Sequence, residues 1–412
     1  MSSLAEAVLP LIRTRADLSS WREANHHGHQ MREAVRILER ALWHTDPAEA
    51  YAVAHKAVAS AMTVVLRADD SSGIIGDACR DLLELHPKFA ARAQVPPAKL
   101  IAWMMKFQFD SEVGFFELDP AAYAPALGEK GLASYRARLD DMRHQLSPKP
   151  EVPFADDPDY GPRFTLEWND QRLAVFDRDI DEIIRTHARD RKAARWFHDT
   201  AKALEEIGEY DLAIDWAKRA VDFDDGMQAF EAAEYWCTLV KLHRHPEYAA
   251  AREHVFWRWP LAATATALRK VNKSRWAAYD EKVMAALSAK PAEAVAFAIM
   301  PLNDPQRAWQ LAHDLKLDDP LVWNDLARAY VSVDKLATLP VHERLVRLDL
   351  ESTGAEFYGS AAHRLERMRL IASGTSEAAR VDALILELRE EHRRRPRLQK
   401  EFDRFRLPRA QG

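Results

Sequence analysis

The chain has 412 residues, with 58 Lys or Arg against 64 Asp or Glu and a formal net charge of −6. That balance argues against a globally basic nucleic-acid binder and leaves only local basic patches to weigh. With 48% hydrophobic residues and only 13 Gly, the composition favours helices and a substantial core, at a length that calls for two domains or one elongated solenoid.

Cys79 and Cys237 lie far apart in apolar, helical contexts, which excludes a disulfide framework and a cysteine-rich zinc site. The N-terminus opens as an amphipathic helix (Leu4, Val8, Leu11, Ile12) rather than a signal peptide. No run approaches the ~18 apolar residues of a membrane span, so a soluble cytoplasmic protein with no membrane contact is expected. Of 12 tryptophans, eight lie beyond residue 190 on helical patterns, where large rings fill gaps between stacked helices.

Apolar spacing predicts N-terminal helices near 3–18, 29–44, 47–67, 74–86, 97–108 and 129–146. Gly28 reads as a turn ahead of the second of these. Asp69-Asp70-Ser71-Ser72-Gly73 reads as a capped connection, and residues 110–120 as a longer one carrying carboxylates and aromatics. Residues 147–162 hold five prolines in sixteen positions among acidic residues. They are expected to be a linker between an N-terminal helical region, 1–146, and a helical-repeat region, 163–412. Residues 164–168 and 173–176 read as a minor strand pair about Asn169-Asp170, or as an extended lead-in to a helix near 177–189. Paired helices follow at 193–207 with 210–222, 228–243 with 247–258, and 260–270 with 275–288, then single segments out to 394. Pro246, Pro260, Pro291, Pro305 and Pro320 fall at or near their starts, where a missing N–H costs little.

The best-formed pair spans 196–222. Phe197, Ala201 and Leu204 line one helix, Gly208 permits a tight turn, Tyr210 packs at that turn, and Ala213, Ala217 and Ala220 line the second helix. These residues fall on the spacing of a tetratricopeptide repeat (TPR), which this unit resembles; Asp225 stands where such a repeat closes on proline. The resemblance implies stacked neighbours and a binding surface, hence an all-α, TPR-like helical-repeat superhelix preceded by a helical bundle region.

A broader resemblance rests on Asp69 to Gly73 with Leu85-His86, on Tyr123-Ala124-Pro125-Ala126-Leu127-Gly128, and on Gly131-Leu132-Ala133-Ser134-Tyr135-Arg136. These stretches resemble an uncharacterised bacterial all-helical family. Tyr358, Ala361-Ala362 and Leu365, followed by residues 384–395, are similar to the helical tails of bacterial SWIM-type zinc-finger proteins. Those tails are regarded as interaction modules. The finger's Cys-x-Cys and Cys-x-His are absent here, so the likeness implies bacterial origin and fold and transfers no metal site.

Several clusters can be weighed for chemistry. His26, His27 and His29 are close enough to chelate a metal, but no carboxylate or cysteine frame surrounds them, and a solvated cluster is expected. His243 and His245 follow Cys237 at a spacing that suits a helix end rather than a ligand set. Asp69, Asp70 and Asp77, and likewise Asp110, Glu112, Glu117 and Asp119, lack the calcium-loop pattern and read as caps and turns. The 110–119 loop is nevertheless where a concealed active site would be sought, because carboxylates beside Phe115 and Phe116 can have raised pKa values. No nucleotide, nucleophile-elbow or zincin motif is present, so no catalytic residue, cofactor or metal is assigned.

The expected function is therefore a non-enzymatic scaffold binding a protein partner in a bacterial cytoplasm, with Trp216, Tyr235, Trp236, Trp257 and Trp259 as candidate contacts. The alternative is a nucleic-acid-associated accessory protein in DNA maintenance or defence. Residues 389–409 carry nine Arg or Lys against four Asp or Glu. Arg393, Arg394, Arg395, Arg397 and Lys400 are the candidate phosphate contacts, set against a salt-bridged solvated helix.

Overall fold

In a computed structural model, which describes residues 4–110, 116–148 and 157–409, every regular element is helical. The chain divides into two compact units, Met1–Phe223 and Asp224–Gly412. The first contains α1 (Leu4–Ile12), α2 (Trp21–His44), α3 (Pro47–Val65), α4 (Ile74–Arg92), α5 (Pro97–Phe109), α6 (Pro120–Gln145), α7 (Tyr160–Asp177), α8 (Ile180–Ala188), α9 (Ala194–Glu206) and α10 (Tyr210–Asp222). The second contains α11 (Met227–His243), α12 (Tyr248–Arg258), α13 (Ala262–Val271), α14 (Asp280–Leu287), α15 (Pro291–Ile299), α16 (Pro305–Asp314), α17 (Pro320–Tyr330), α18 (Leu339–Glu351), α19 (Ala355–Ala372), α20 (Ala378–Glu391) and α21 (Pro396–Arg404). The all-α class read from composition is what the chain adopts.

A recurring dipeptide starts four of these helices. Asp46-Pro47, Asp119-Pro120, Asp304-Pro305 and Asp319-Pro320 each place a carboxylate at the N-cap and a proline in the first turn. The aspartate accepts from N–H groups that have no intrahelical partner: Asp46 from Ala48 and Glu49 at 3.1 and 3.0 Å, Asp319 from Leu321 and Val322 at 2.8 and 3.1 Å. Proline at that position has no N–H to leave unsatisfied, and its φ is already helical.

The TPR-like pair, α9 and α10, makes the most extensive helix–helix contact among the described residues. Ala201, Leu204, Ala213, Ala217 and Ala220 are fully buried at its seam, and Gly208 turns the chain at φ +81°, where a side chain is strained. Phe197 packs on Trp216 and Phe223, each at a ring separation of 5.6 Å. Tyr210, expected to pack at the turn, is 43% exposed.

Two readings from sequence are corrected. Gly28 is not a turn but lies inside α2, eight residues into a helix that begins at Trp21. The Ser20 hydroxyl accepts from the Glu23 N–H and donates to its carboxylate at 2.5 Å, a reciprocal cap that starts the helix early. Gly28 is there because α4 crosses at that point, and a Cβ would overlap the Ile74 Cγ2 methyl. Residues 164–168 and 173–176 form neither a strand pair nor an extended lead-in; both lie in α7. Asn169, read as a turn residue, is fully buried there. It donates to Gln108 Oε1 and the Thr165 carbonyl and accepts from the Tyr135 hydroxyl at 2.6 Å.

The division into compact units falls between Phe223 and Asp224, and the 147–162 segment lies within the first of them. Of that segment, residues 149–156 lie outside those described. The helices on either side of it are bound together: Arg136 pairs with Asp177 at 2.8 Å, Arg143 with Asp170 at 2.7 Å, and Tyr135 joins the Asn169 network.

A second polar chain runs through the first unit's core. His55 Nδ1 lies 3.0 Å from His86 Nε2, and His86 Nδ1 lies 3.0 Å from the Tyr123 hydroxyl. The Trp103 ring covers His86 at 4.3 Å, and Tyr51 closes the other side at 5.3 Å. Burial, with His55 adding a smaller share, pushes the His86 pKa down to about 3. Burial likewise pushes the Cys79 and Cys237 thiols up to about 12 and about 11, so neither is a thiolate at neutral pH.

Two outcomes are expected. Gly28→Ala destabilises the first unit by about 1–3 kcal/mol in urea unfolding, and Ile74→Ala in the same chain recovers part of that loss because the overlap disappears. His86 is neutral when folded and ordinary when unfolded, so its contribution is complete above about pH 6.5 and is lost as pH falls toward about 3. Between pH 7.0 and 5.5 that amounts to about 1 kcal/mol, and His86→Gln shrinks the measured difference by that amount.

Candidate functional site

Along α7, Tyr160, Phe164, Trp168 and Arg172 recur at every fourth residue and so share one helix face. Tyr160 is 70% exposed and Phe164 42% exposed, an unusual display of aromatic surface on adjacent turns. Trp168 is half-buried and fixed, its indole N–H donating to the Leu118 carbonyl at 2.7 Å. Two adjoining clefts, of about 320 and 600 Å³, open along this face and share Phe164, Arg189 and Trp196. Trp196 at the start of α9 forms the opposite wall.

The ladder ends in an ion-pair brace. Arg172 donates to both oxygens of Asp119, at 3.1 and 3.0 Å, and to both of Glu206, each at 2.7 Å. Hydrogen bonding from Arg172 holds the Glu206 carboxyl below its usual range. Arg163, on the same helix, is likewise committed, to Asp157 at 2.9 Å and to the Ser147 carbonyl at 2.6 Å. His187 lines the larger cleft as a neutral imidazole, its pKa lowered by burial; Nδ1 carries the proton and donates to the Ile183 carbonyl at 3.0 Å.

Arg189 stands at the junction of the two clefts. The Arg191 N–H donates to the Ala188 carbonyl at 2.8 Å, closing a turn in which Arg189 has φ +46° and ψ −124°. That conformation belongs to the first central position of a type II′ turn, where glycine is the usual residue. For a side chain it costs about 1–3 kcal/mol. The guanidinium it carries lies 5.8 Å from the Trp196 ring centre and 3.3 Å from Glu167.

On the far side of Trp168 lies a third cleft of about 570 Å³, lined by Phe116, Glu117, Lys88, Arg80 and Tyr123 among others. Burial raises the Glu117 carboxyl, as expected for the 110–119 loop. The rest of that loop assembles no acid–base pair: Asp110 is the exposed C-cap of α5, Asp119 is the α6 cap held by Arg172, and Glu112 and Phe115 lie outside the described residues.

The aromatic residues named from sequence divide differently from expectation. Trp216 and Trp236 are each only 5% exposed and serve as core wedges, with Arg219 and Arg191 stacked on Trp216 at 4.8 and 5.7 Å. Tyr235 is half-buried. Trp259 turns an edge onto Phe230 at 5.4 Å and donates to the Asp225 carbonyl at 3.4 Å. Trp257 alone of the five has an exposed ring. Trp216 also belongs to the first unit and the other four to the second. The sequence reading missed Tyr160, Phe164, Trp168 and Trp196 as a site because a strand was sought at 164–168. The fourfold spacing of aromatics was the available signal.

In the basic segment, Arg389 is built into the fold, donating to the Pro408 and Leu407 carbonyls, Gln399 and Asp403. Arg395 donates to the Leu350 carbonyl at 2.7 Å, and Arg393 pairs with Glu390. Arg394, Arg397 and Lys400 are exposed. His27 is buried and donates from Nε2 to the Ile12 carbonyl at 2.9 Å, while His26 and His29 face solvent. Among the described residues no group of three or more His, Cys, Asp or Glu is placed to hold a metal, and no helix is long and apolar enough to cross a membrane.

No curated protein matches the chain. Among solved structures it is similar to yeast Tom70, with 13% identity over 93% of this chain and 86% of that one. The TM-score of 0.26 is too low for that likeness to carry an argument. Neither this likeness nor the family match ties the C-terminal helices to SWIM-type proteins; Tyr358, Ala361, Ala362 and Leu365 are core residues of the second unit. Residues 8–270, which include the whole α7 groove, match a family of unknown function, and the chain is a member of that family, DUF6880.

Proposed function

We propose that this chain is a non-catalytic, cytoplasmic module that binds a segment of a protein partner in the groove between α7 and α9. The observation that carries this reading is the ladder of exposed Tyr160 and Phe164 with half-buried Trp168, facing Trp196 across two adjoining clefts. Aromatic and arginine side chains dominate contact energies at protein interfaces, and this groove concentrates both on rigid helices. Its ordered cations are mostly paired within the fold, which suits recognition by shape and apolar contact more than by charge alone. Trp257 offers the second unit an additional contact.

A photo-crosslinking amino acid placed at Tyr160 in the full chain is expected to yield one discrete adduct in cells. The same group at Leu321, an equally exposed apolar position in the second unit, yields none. The pair Phe164→Ala and Trp196→Ala together weakens capture by at least tenfold while circular dichroism is unchanged. Identical adducts from both positions, or none from Tyr160, would sink the proposal.

A second reading has its own support in the exposed Arg394, Arg397 and Lys400 at the start of α21. If these contact phosphates, replacing all three by alanine lowers affinity for duplex DNA and reduces the salt slope by about 3. A triple variant that binds duplex DNA as tightly as the parent at both 50 and 200 mM salt removes this basic segment as a nucleic-acid contact.

A further inference from the structure

Across Trp168 from the α7 groove, the cleft of about 570 Å³ is walled by Leu83 and Pro87 of α4, by Phe116 and by Tyr123 of α6. Three aromatic rings and the carboxyl of Glu117 share its lining. Glu117 is half-buried, and burial, the one cause acting on it, raises its pKa. Among the described residues this carboxyl has neither an ion pair nor a hydrogen-bond partner.

The other charged groups at the cleft are placed differently. Asp119 gives both oxygens to Arg172. Arg80 pairs with Asp77 at 2.7 Å and lies 5.9 Å from the Phe116 ring centre. Glu84 and Lys88, of opposite sign, are exposed on α4. From α6, the Tyr135 phenol feels the Glu117 charge, and the Tyr123 hydroxyl is turned to His86 at 3.0 Å. A carboxylate taken from water without a partner is unfavourable, and the group holds its proton more tightly in response. A cation entering the cleft reverses this, because the ionised form then has a partner. Aromatic faces attract the same positive charge and cover an apolar body beside it. A metal ion is poorly served, since a single carboxyl supplies too few oxygens.

We propose that this cleft is a binding site for a small organic amine, whose ammonium donates to the Glu117 carboxylate and whose apolar body packs among Phe116, Tyr123 and Trp168. A cleft of this volume, mostly apolar with one placed polar group, has the make-up of a small-molecule pocket. It shares only Trp168 with the α7 groove, so it does not depend on the partner-binding reading.

The test is calorimetric titration of the full chain with tryptamine and with phenethylamine. At least one is expected to bind with a Kd of about 1 mM or tighter, as suits a ligand of this size. The neutral N-acetyltryptamine and the anionic indole-3-propionate bind at least tenfold more weakly. Glu117→Gln, which keeps the shape and removes the charge, weakens the amine at least tenfold. Ala122→Trp, which fills the cleft from the exposed start of α6 and leaves Glu117 in place, abolishes binding while circular dichroism is unchanged. Phe164→Ala and Trp196→Ala bind the amine as the parent does. The amine stays protonated as a lysine would, so the parent's affinity rises with pH through the raised Glu117 pKa and then levels, while Glu117→Gln shows no such rise. Binding of neither amine at about 10 mM, undiminished binding by Glu117→Gln or Ala122→Trp, or equal binding of indole-3-propionate overturns this inference and leaves the α7 groove untouched.

Discussion

One guanidinium sets the geometry of the first unit's outer helices. Arg172 projects from α7 and holds the carboxylate that caps α6 together with the last glutamate of α9. Glu206 sits at a helix C-terminus, where the dipole disfavours a negative charge, so its placement depends on the cation beside it. Asp119 faces the opposite condition, an N-terminus that already favours it. The fork therefore joins a self-sufficient anchor to a dependent one. Charge-assisted bidentate bonds are directional as well as strong, so the brace fixes the rotation of α7 and with it the face that carries the aromatic ladder.

Beneath the brace, the buried interior is polar where it needs to be specific. Asn169 spends both amide protons and its carbonyl on Gln108, Thr165 and Tyr135, so α5, α6 and α7 meet in a single hydrogen-bonded register. A slip of α7 by one residue would leave these groups buried and unpaired, at about 1–3 kcal/mol each. Alanine seams, by contrast, specify closeness without register, and α9 and α10 show what they do well: approach tightly and turn on a glycine.

How much of this could be read from sequence follows from which signals are local. The α9/α10 pair was legible because its alanines, glycine and aromatic wedge all lie within one short window. The helix starts at Pro291, Pro305 and Pro320 were legible for the same reason. The start of α2 was hidden because Gly28 was read as backbone freedom when its cause is the side chain of Ile74, distant in sequence. α7 was misread because Asn169-Asp170 looks like a turn, and only the partners of Asn169 on other helices show why it sits in a core. Of the site, the aromatic content was visible but its placement was not. Burial separates Trp216 and Trp236 from Trp257, and burial depends on neighbours that no local pattern names.

The chain from Tyr123 through His86 to His55 has a further property. Each link joins groups that can both donate and accept, so the protons can be ordered in two ways over the same heavy atoms. In one order the phenol donates inward and His86 donates on to His55; in the other His55 donates first and the phenol accepts. Exchanging them swaps the tautomer of His86 and reverses a dipole in the interior of the unit without moving a helix. Tyr123 also lines the cleft beyond Trp168. One arrangement of heavy atoms in the core thus accommodates two opposite dipoles.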